Sequence, residues 1–221
     1  MYFFANKIYH AMKSFATLMA FLLCCGLARA QEDWTPLFNG KDLTGWEHVG
    51  PGKFVVKKGQ LKTVGGMGLL WYTGQPFEDV VIRVVYQGTE ANNAGVFIRI
   101  PERPTEPWMP VNRGYEVQLD DRADAFHRTG VLYSLTEAKA APGKPGTWNT
   151  MEITLDGDRT LVHVNGVLVT DYTEGDPVPE KEKEYEPDRG RRPRVGYIGL
   201  QNHGKHDTIL FKEVSYRPLR K

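Results

Sequence analysis

The sequence has little cysteine, and both cysteines lie close to its start. Its 221 residues include 2 cysteines, Cys24 and Cys25, inside one apolar segment. The chain beyond that segment therefore has no disulfide, no thiolate nucleophile and no cysteine metal ligand. We expect its stability to come from a packed hydrophobic core.

Long hydrophobic runs are also scarce, with one example at Leu18–Leu27. Lys7 and Lys13 precede this run, and the small-residue pattern Ala28-Arg29-Ala30 follows it. This arrangement is typical of a secretory signal peptide and is short for a membrane span. We therefore expect residues 1–30 to be removed, and residues 31–221 to form one exported domain, periplasmic or secreted, with no membrane span.

Several details of this leader stay open. Met12 opens a more typical basic start and could be the true first residue. A transmembrane anchor and a buried core helix are the structural alternatives. A lipid anchor at Cys24 or Cys25 is disfavoured, because the residue before an acylated cysteine should be small.

An excess of charge of one sign is missing as well. The chain has 28 basic and 27 acidic residues, and the leader holds three basic and no acidic ones. The remaining chain then has 25 basic against 27 acidic residues, a net charge of −2. Nucleic acid is an unfavourable partner for such a chain.

Helical periodicity with caps is absent, whereas short alternating apolar runs are frequent. The 23 glycines and 14 prolines favour many turns. Asn165-Gly166 and Asp156-Gly157-Asp158 are typical of tight hairpins. The predicted strands are Phe54–Val56, Gln60–Val64, Gly68–Tyr72, Val80–Gln87, Ala94–Ile100, Tyr115–Asp121, Gly130–Leu135, Met151–Leu155, Thr160–Val164, Val167–Tyr172, Val195–Gln201 and Thr208–Tyr216. The sequence thus predicts an all-β fold, a two-sheet antiparallel sandwich of the jelly-roll kind.

One long connection, Glu174–Pro193, interrupts this rhythm. It is rich in proline and in alternating Lys and Glu. We interpret it as a solvated insertion, with a lid over a site as the less favoured alternative.

The main chemical signal lies on the strand Tyr115–Asp121. Glu116, Gln118 and Asp120 alternate with apolar residues and so share one face. Neighbours on that face lie about 7 Å apart, so the two carboxylates could flank a sugar ring. Glycosidases separate their two carboxylates by about 5–9 Å. The alternative is an ordinary solvent-exposed sheet face.

Two further strands carry similar polar rows. Asn93, Phe97 and Arg99 share one face of their strand, and Gln201 and His203 share a face with Tyr197. A sugar needs this combination, because its apolar faces stack on aromatic rings while its hydroxyls take polar partners. Further candidates for an aromatic platform, each of which could equally be a core residue, are Trp71, Tyr72 and Tyr133.

Among the histidines, His203 ends a predicted strand and could lie at a pocket rim. His48, His127, His163 and His206 lie in predicted loops or hairpins without clear carboxylate spacing, which favours surface or structural roles. Glu116, Asp120 and His203 could together hold a divalent cation, although no local pair of metal ligands such as HExxH is present.

Several segments resemble the 3-keto-disaccharide hydrolase family, also described as 3-keto-glucoside 1,2-lyase / 3-keto-2-hydroxy-glucal hydratase. The similar segments are Leu37–Trp46, Asn93–Arg99, Tyr115–Asp120, Thr129–Tyr133, Trp148-Asn149, Val164–Gly166 and Gly199–Gly204. The resemblance implies a concanavalin-A-like lectin/glucanase fold with a concave binding face. It also implies export and carbohydrate processing in bacteria. Ala94 stands where the family often has serine, and Glu174–Pro193 is longer than usual, which bears on substrate choice.

The chemistry implied by this resemblance begins at a 3-keto sugar, whose carbonyl acidifies the C2 proton. A base removes this proton, a cation or hydrogen-bond donors stabilise the enolate, an acid helps the C1 group to leave, and water then adds. We hypothesise that Glu116, Asp120 and His203 form the acid/base or metal cluster. The further substrate-binding residues are Asn93, Gln118, Tyr133, Gln201 and Trp71, with Arg99 near the developing negative charge. A non-catalytic carbohydrate-binding module and a two-carboxylate glycosidase are the alternative functions.

Overall fold

Two antiparallel β-sheets form the described part of the chain. The computed structural model describes residues 34–220 except residue 90; the predicted signal peptide, residues 1–30, lies outside them. The strands are β1 (Thr35–Pro36), β2 (Trp46–Val49), β3 (Lys53–Lys57), β4 (Gln60–Val64), β5 (Gly68–Tyr72), β6 (Val80–Gln87), β7 (Ala94–Ile100), β8 (Tyr115–Leu119), β9 (Asn149–Asp156), β10 (Arg159–Val164), β11 (Val167–Thr173), β12 (Tyr197–Asn202) and β13 (Leu210–Pro218). One short helix, α1 (Met109–Arg113), precedes β8.

The larger sheet has eight strands and the smaller one has five. The larger sheet runs in the order β11-β10-β9-β6-β13-β4-β3, with β1 paired to β13. The smaller sheet runs β2-β5-β12-β7-β8. Neighbouring strands in both sheets are thus mostly distant in sequence, as in a jelly roll.

The core lies between the two sheets, and strand alternation decides which side chains enter it. On β7, Ala94, Val96 and Ile98 belong to the main core cluster. Phe97 belongs instead to a second cluster with Leu69, Trp71 and Ile100. The smaller sheet is therefore buried on both faces along part of its length, and its outer face carries apolar and polar side chains together.

The predicted hairpins are confirmed. Asn165 and Gly166 have φ values of +51° and +78° and connect β10 to β11. Gly157, with a φ of +57°, lies in the turn that connects β9 to β10. Asparagine and glycine tolerate this left-handed region better than other residues.

One predicted strand, Gly130–Leu135, is wrong. Gly130 and Ser134 have φ values of +93° and +59°, which break the extended conformation. The segment still runs along the edge of β8 and forms backbone hydrogen bonds with it. Strands β1 and β2 and helix α1 were not predicted, because each is short and lacks a clear period.

No helix within the described ranges, residues 34–89 and 91–220, has the length and apolarity needed to cross a membrane.

Candidate functional site

A pocket of about 430 Å³ opens on the outer face of the five-stranded sheet. This volume suits a small-molecule ligand. Six of the nine side chains predicted from the sequence line it: Asn93, Glu116, Gln118, Tyr133, Gln201 and His203. The alternation on β8 and β12 therefore brings these side chains to one sheet face.

The pocket floor is a row across three neighbouring strands. Gly95 of β7 lies opposite Gln118 of β8 on one side and opposite Gln201 of β12 on the other. Two amide side chains thus flank a glycine, which leaves bare backbone between them. The missing side chain at Gly95 makes room for the carboxyl of Glu116.

Glu116 lies over Gly95. A Cβ atom at position 95 would be 2.5 Å from Oε1 of Glu116 and 2.7 Å from its Cγ. Any residue other than glycine would therefore displace this carboxyl. Glu116 is 6% exposed. Burial raises the pKa of this carboxyl to about 8, and the hydrogen bond from Gln201 opposes the shift. Such a group can exchange a proton near neutral pH.

Tyr133 is fixed beside Glu116 through the backbone. Its N–H donates to the carbonyl of Glu116 at 2.9 Å. Burial, followed by the negative charge of Glu116, raises the pKa of Tyr133 to about 12. The phenol therefore keeps its proton and can donate a hydrogen bond to a ligand.

An Asp–His pair that the sequence analysis missed lies behind Tyr133. The Nδ1 atom of His127 lies 2.8 Å from Oδ1 of Asp124, and its Nε2 lies 3.3 Å from Oγ of Ser134. The His127 ring packs edge-on to Tyr133 with ring centroids 5.1 Å apart. The i, i+3 spacing of Asp124 and His127 was the available signal, so the statement that His127 lacks carboxylate spacing is wrong.

Polar atoms around the pocket have capacity to bind a ligand. Within the described residues, Oδ1 of Asn93 and Oε1 of Gln201 are shielded from solvent and have no hydrogen-bond partner. His203 lies at the rim, with its side chain 47% exposed. Buried polar atoms normally have partners, so these two oxygens are natural contacts for ligand hydroxyls.

Asp120 does not join Glu116 and His203. Its carboxylate accepts hydrogen bonds from Nε and Nη2 of Arg122, each at 3.2 Å, and from the Arg122 backbone N–H at 3.0 Å. Asp120 is not among the pocket-lining residues. Residues 34–220, apart from residue 90, contain no group of three or more His, Cys, Asp or Glu side chains that could hold a metal ion. The prediction that Glu116, Asp120 and His203 form one catalytic or metal cluster is therefore wrong, because Asp120 pairs with Arg122 instead.

The predicted role of Arg99 near developing charge is also wrong. Arg99 has a φ of +56° at a register shift between β7 and β12, and this bulge breaks the alternation of side chains. Its buried guanidinium donates to the carbonyls of Gly157, Pro193 and Arg194. Arg99 therefore connects the smaller sheet to the β9–β10 turn of the larger one.

Trp71 lies on the same sheet face as the pocket but does not line it. Its ring packs edge-on to Tyr197, with centroids 5.2 Å apart, among the apolar side chains of the second cluster. It is 6% exposed and lies outside the pocket lining. The structure therefore does not place Trp71 in the pocket, where the sequence predicted it, although Trp71 lies on the same sheet face.

The loop Glu174–Pro193 forms part of the pocket wall, contrary to its interpretation as a solvated insertion. Tyr185 from this loop and Trp108, which precedes α1, both line the pocket. Sequence reasoning missed both residues because each lies in an irregular segment, where alternation gives no direction.

The chain is similar to a known domain family and to several solved structures. The profile of the 3-keto-α-glucoside-1,2-lyase-like domain matches residues 33–220. No curated protein matches the chain. A candidate glycosyl hydrolase from Parabacteroides distasonis is 24% identical, with a TM-score of 0.70 over 87% of this chain and 96% of that one.

Two more distant structures share the fold. The carbohydrate-binding module CBM66 from Bacillus subtilis is 15% identical, with a TM-score of 0.55 over 78% of this chain and 95% of that one. A Bacillus subtilis protein with a galectin-like fold is 11% identical, with a TM-score of 0.57 over 84% and 94% of the two chains. At these identities, the likeness to solved structures establishes the jelly-roll fold alone.

Proposed function

The chain belongs to the 3-keto-α-glucoside-1,2-lyase-like domain family, and from this premise we propose that it cleaves 3-keto-glucosides in the pocket on its five-stranded sheet. The observation that carries this proposal is Glu116, a buried carboxyl with a pKa of about 8 that lines a pocket rich in amide groups. A carbohydrate-related function agrees with the family. The predicted leader supports export, which we propose as well.

Glu116 is the base in this proposal. The C3 carbonyl acidifies the proton on C2, and the Glu116 carboxylate takes that proton while the electron pair moves to the C3 oxygen. A raised pKa makes the carboxylate a stronger base than an ordinary glutamate. A neutral carboxylic acid is the product of this step, and the buried site favours that form.

The enolate forms among hydrogen-bond donors. The Tyr133 hydroxyl and the amide groups of Gln118, Gln201 and Asn93 surround the pocket that holds the sugar. Fixed donors of this kind stabilise negative charge that develops during a reaction. No arginine lines the pocket among the described residues, so the proposal gives no role to a guanidinium.

The leaving group departs from C1 at the rim. The enolate electrons form the C1–C2 double bond, the C1–O bond breaks, and His203 in its protonated form gives a proton to the departing oxygen. Water then adds across this double bond, with its oxygen on C1 and a proton on C2, which gives 3-keto-glucose.

No step of this proposal uses a divalent cation. Glu116 and His203 are two metal-ligating side chains at the pocket, and no group of three or more His, Cys, Asp or Glu side chains that could hold a metal ion occurs among the described residues. The residues present therefore do not fit a conventional cation site.

The two-carboxylate glycosidase is disfavoured because Asp120 bonds to Arg122 outside the pocket. A non-catalytic carbohydrate-binding module would use the same pocket without turnover. The choice between enzyme and module therefore depends on whether the bound sugar is cleaved.

Product analysis with a 3-keto-disaccharide tests the proposal. We expect the protein to release 3-keto-glucose with or without a chelator. Glu116→Gln and His203→Ala should each lower kcat by about 100-fold or more, the usual scale of acid–base catalysis. Glu137→Gln, which changes an exposed carboxylate outside this pocket, is the matched control and should keep full activity.

Sugar binding without turnover would favour the binding module. Cleavage of unoxidised glycosides would favour the two-carboxylate glycosidase. Loss of activity with a chelator would restore the metal hypothesis. Full activity of both Glu116→Gln and His203→Ala would end the assignment of these residues.

A further inference from the structure

The pocket has two chemically different halves. Its floor carries amides and the Glu116 carboxyl, whereas its mouth is lined by the apolar side chains of Met67 and Val111 and by the rings of Trp108 and Tyr185. A ligand that fits both halves has a polar ring inside and an apolar group outside.

Trp108 and Tyr185 expose an unusual amount of ring surface. They are 50% and 66% exposed, and the other large hydrophobic residues of comparable exposure in the described chain are valines. Exposed aromatic surface that is concentrated at one pocket is typical of a binding site. Both rings are far more exposed than Glu116, which is 6% exposed.

The loop that carries Tyr185 is held in place by two arginines. The guanidinium of Arg189 donates to the carbonyls of Pro179, Glu180 and Pro187 and to the Glu186 carboxylate. This network folds the loop onto itself around a buried carboxylate, since Glu186 is 4% exposed.

The second arginine fastens the same loop to the sheet. Arg192 donates from Nε to the carbonyl of Gly114, at the start of β8, and its guanidinium lies 5.4 Å from the centroid of the Tyr115 ring. Tyr115 in turn donates to Glu174 at 2.6 Å. These bonds therefore fix the loop on the C-terminal side of Tyr185.

Trp108 has independent support. It precedes α1, which packs against β7 and β8. The Asn112 side chain of α1 accepts a hydrogen bond from the backbone N–H of Asp188 in the loop. The two aromatic rings thus come from segments that are connected to each other, and both are preorganised for stacking.

We infer that Trp108 and Tyr185 form an outer subsite for an aromatic aglycone, the leaving group of an aryl glucoside. This inference rests on the proposed function, which places the glucose ring on the polar floor. A second sugar ring would bring several hydroxyls that need partners. Apart from His203 at the rim and Lys183, whose Nζ lies 5.7 Å from the Tyr185 ring centroid, the mouth offers apolar side chains and ring faces. An aromatic ring has no such need and stacks on tryptophan and tyrosine.

The binding of three unoxidised ligands tests this inference without any chemistry. Phenyl α-D-glucopyranoside, methyl α-D-glucopyranoside and trehalose share the glucose ring and differ in the group on C1. We expect the phenyl glucoside to bind about tenfold more tightly than the other two, the ratio that corresponds to about 1.4 kcal/mol. Isothermal titration calorimetry measures all three dissociation constants.

Variants assign the preference to the two rings. Trp108→Ala and Tyr185→Ala should each reduce the ratio of phenyl to methyl glucoside affinity several-fold, while Tyr185→Phe should keep this ratio. Trp148→Ala is the matched control, because Trp148 precedes β9 of the other sheet and packs beside Lys212. This control should keep the full preference.

Several outcomes would overturn the outer subsite. These are trehalose binding as tight as phenyl glucoside binding, an unchanged preference in Trp108→Ala and Tyr185→Ala, or no measurable binding of the phenyl glucoside. Parallel turnover of 3-keto-glucosides separates the two proposals. Turnover without a phenyl preference contradicts the subsite alone, whereas a phenyl preference that depends on Trp108 without any turnover contradicts the enzyme alone.

Discussion

Glu116 shows how one glycine and one buried pocket change the chemistry of a common residue. The carboxyl lies on bare backbone at Gly95 and loses solvent on all sides, so its neutral form is favoured until about pH 8. In the proposed reaction this same property makes its ionised form a strong base. The burial that makes Glu116 a stronger base therefore also lowers the stability of the fold when Glu116 is ionised.

The pH dependence of stability follows from this shift. Between the ordinary value of 4.5 and about 8, the folded chain holds the Glu116 proton and the unfolded chain has lost it. The folded state then binds more protons, so the contribution of Glu116 to stability is fully present below pH 4.5 and is lost as the pH rises through about 8.

We predict that Glu116→Gln removes this contribution. Chemical denaturation at pH 5 and pH 8 should show a smaller loss of unfolding free energy in the variant than in the parent protein. The difference should be on the order of a few kcal/mol, since one pKa unit corresponds to about 1.4 kcal/mol. An identical pH dependence in both proteins would contradict the raised pKa.

Residue-level prediction from the sequence succeeded where strand alternation holds. Glu116, Gln118 and Gln201 line one pocket, as expected from the sequence, because β8 and β12 keep their period across it. Asp120 failed for a local reason, since its partner Arg122 lies two residues further along, in the turn after the strand.

At the scale of elements, the bulge in β7 and the loop Glu174–Pro193 act together. The left-handed conformation at Arg99 directs its guanidinium to the carbonyls of Pro193 and Arg194, where the loop rejoins the sheet. A third bond reaches Gly157 in the β9–β10 turn. Arg99 thus fixes the end of the loop that carries Tyr185.

We predict that Arg99→Met destabilises the fold without direct loss of chemistry. The substitution leaves buried carbonyls without donors, at about 1–3 kcal/mol for each unsatisfied group. Thermal unfolding should occur at a clearly lower temperature, while kcat for a 3-keto-glucoside, measured well below that temperature, should stay within a few-fold of the parent value. A loss of kcat of about 100-fold in a folded variant would restore Arg99 to the catalytic site.

The bulge and the loop also mark the limit of element-level prediction. A β-bulge shifts the face of every later side chain in its strand. The sequence Asn93–Arg99 contains no proline or turn pair from which the bulge could be predicted. The loop was recognised by its length and composition. Its position over the pocket depends on hydrogen bonds from Arg189 and Arg192 to distant carbonyls, which no local pattern reveals.

At the scale of the whole molecule, the fold was predictable because two-residue periodicity and turn chemistry agree along most of the chain. An all-β antiparallel sandwich follows from that agreement. The order of strands in each sheet was not predictable, since β12 pairs with β5 and β7 across more than a hundred residues. These long-range pairings create the row of Gln118, Gly95 and Gln201 and hence the pocket itself.

The proposed reaction begins when Glu116 removes the proton from C2 of the sugar. Its most direct test is cleavage of a 3-keto-glucoside in D₂O, with the product examined by NMR at early times against an enzyme-free sample. We expect the parent protein to form 3-keto-glucose that carries deuterium at C2, and we expect Glu116→Gln to lose this activity. Cleavage with deuterium uptake at the parent rate in Glu116→Gln would contradict proton removal by Glu116.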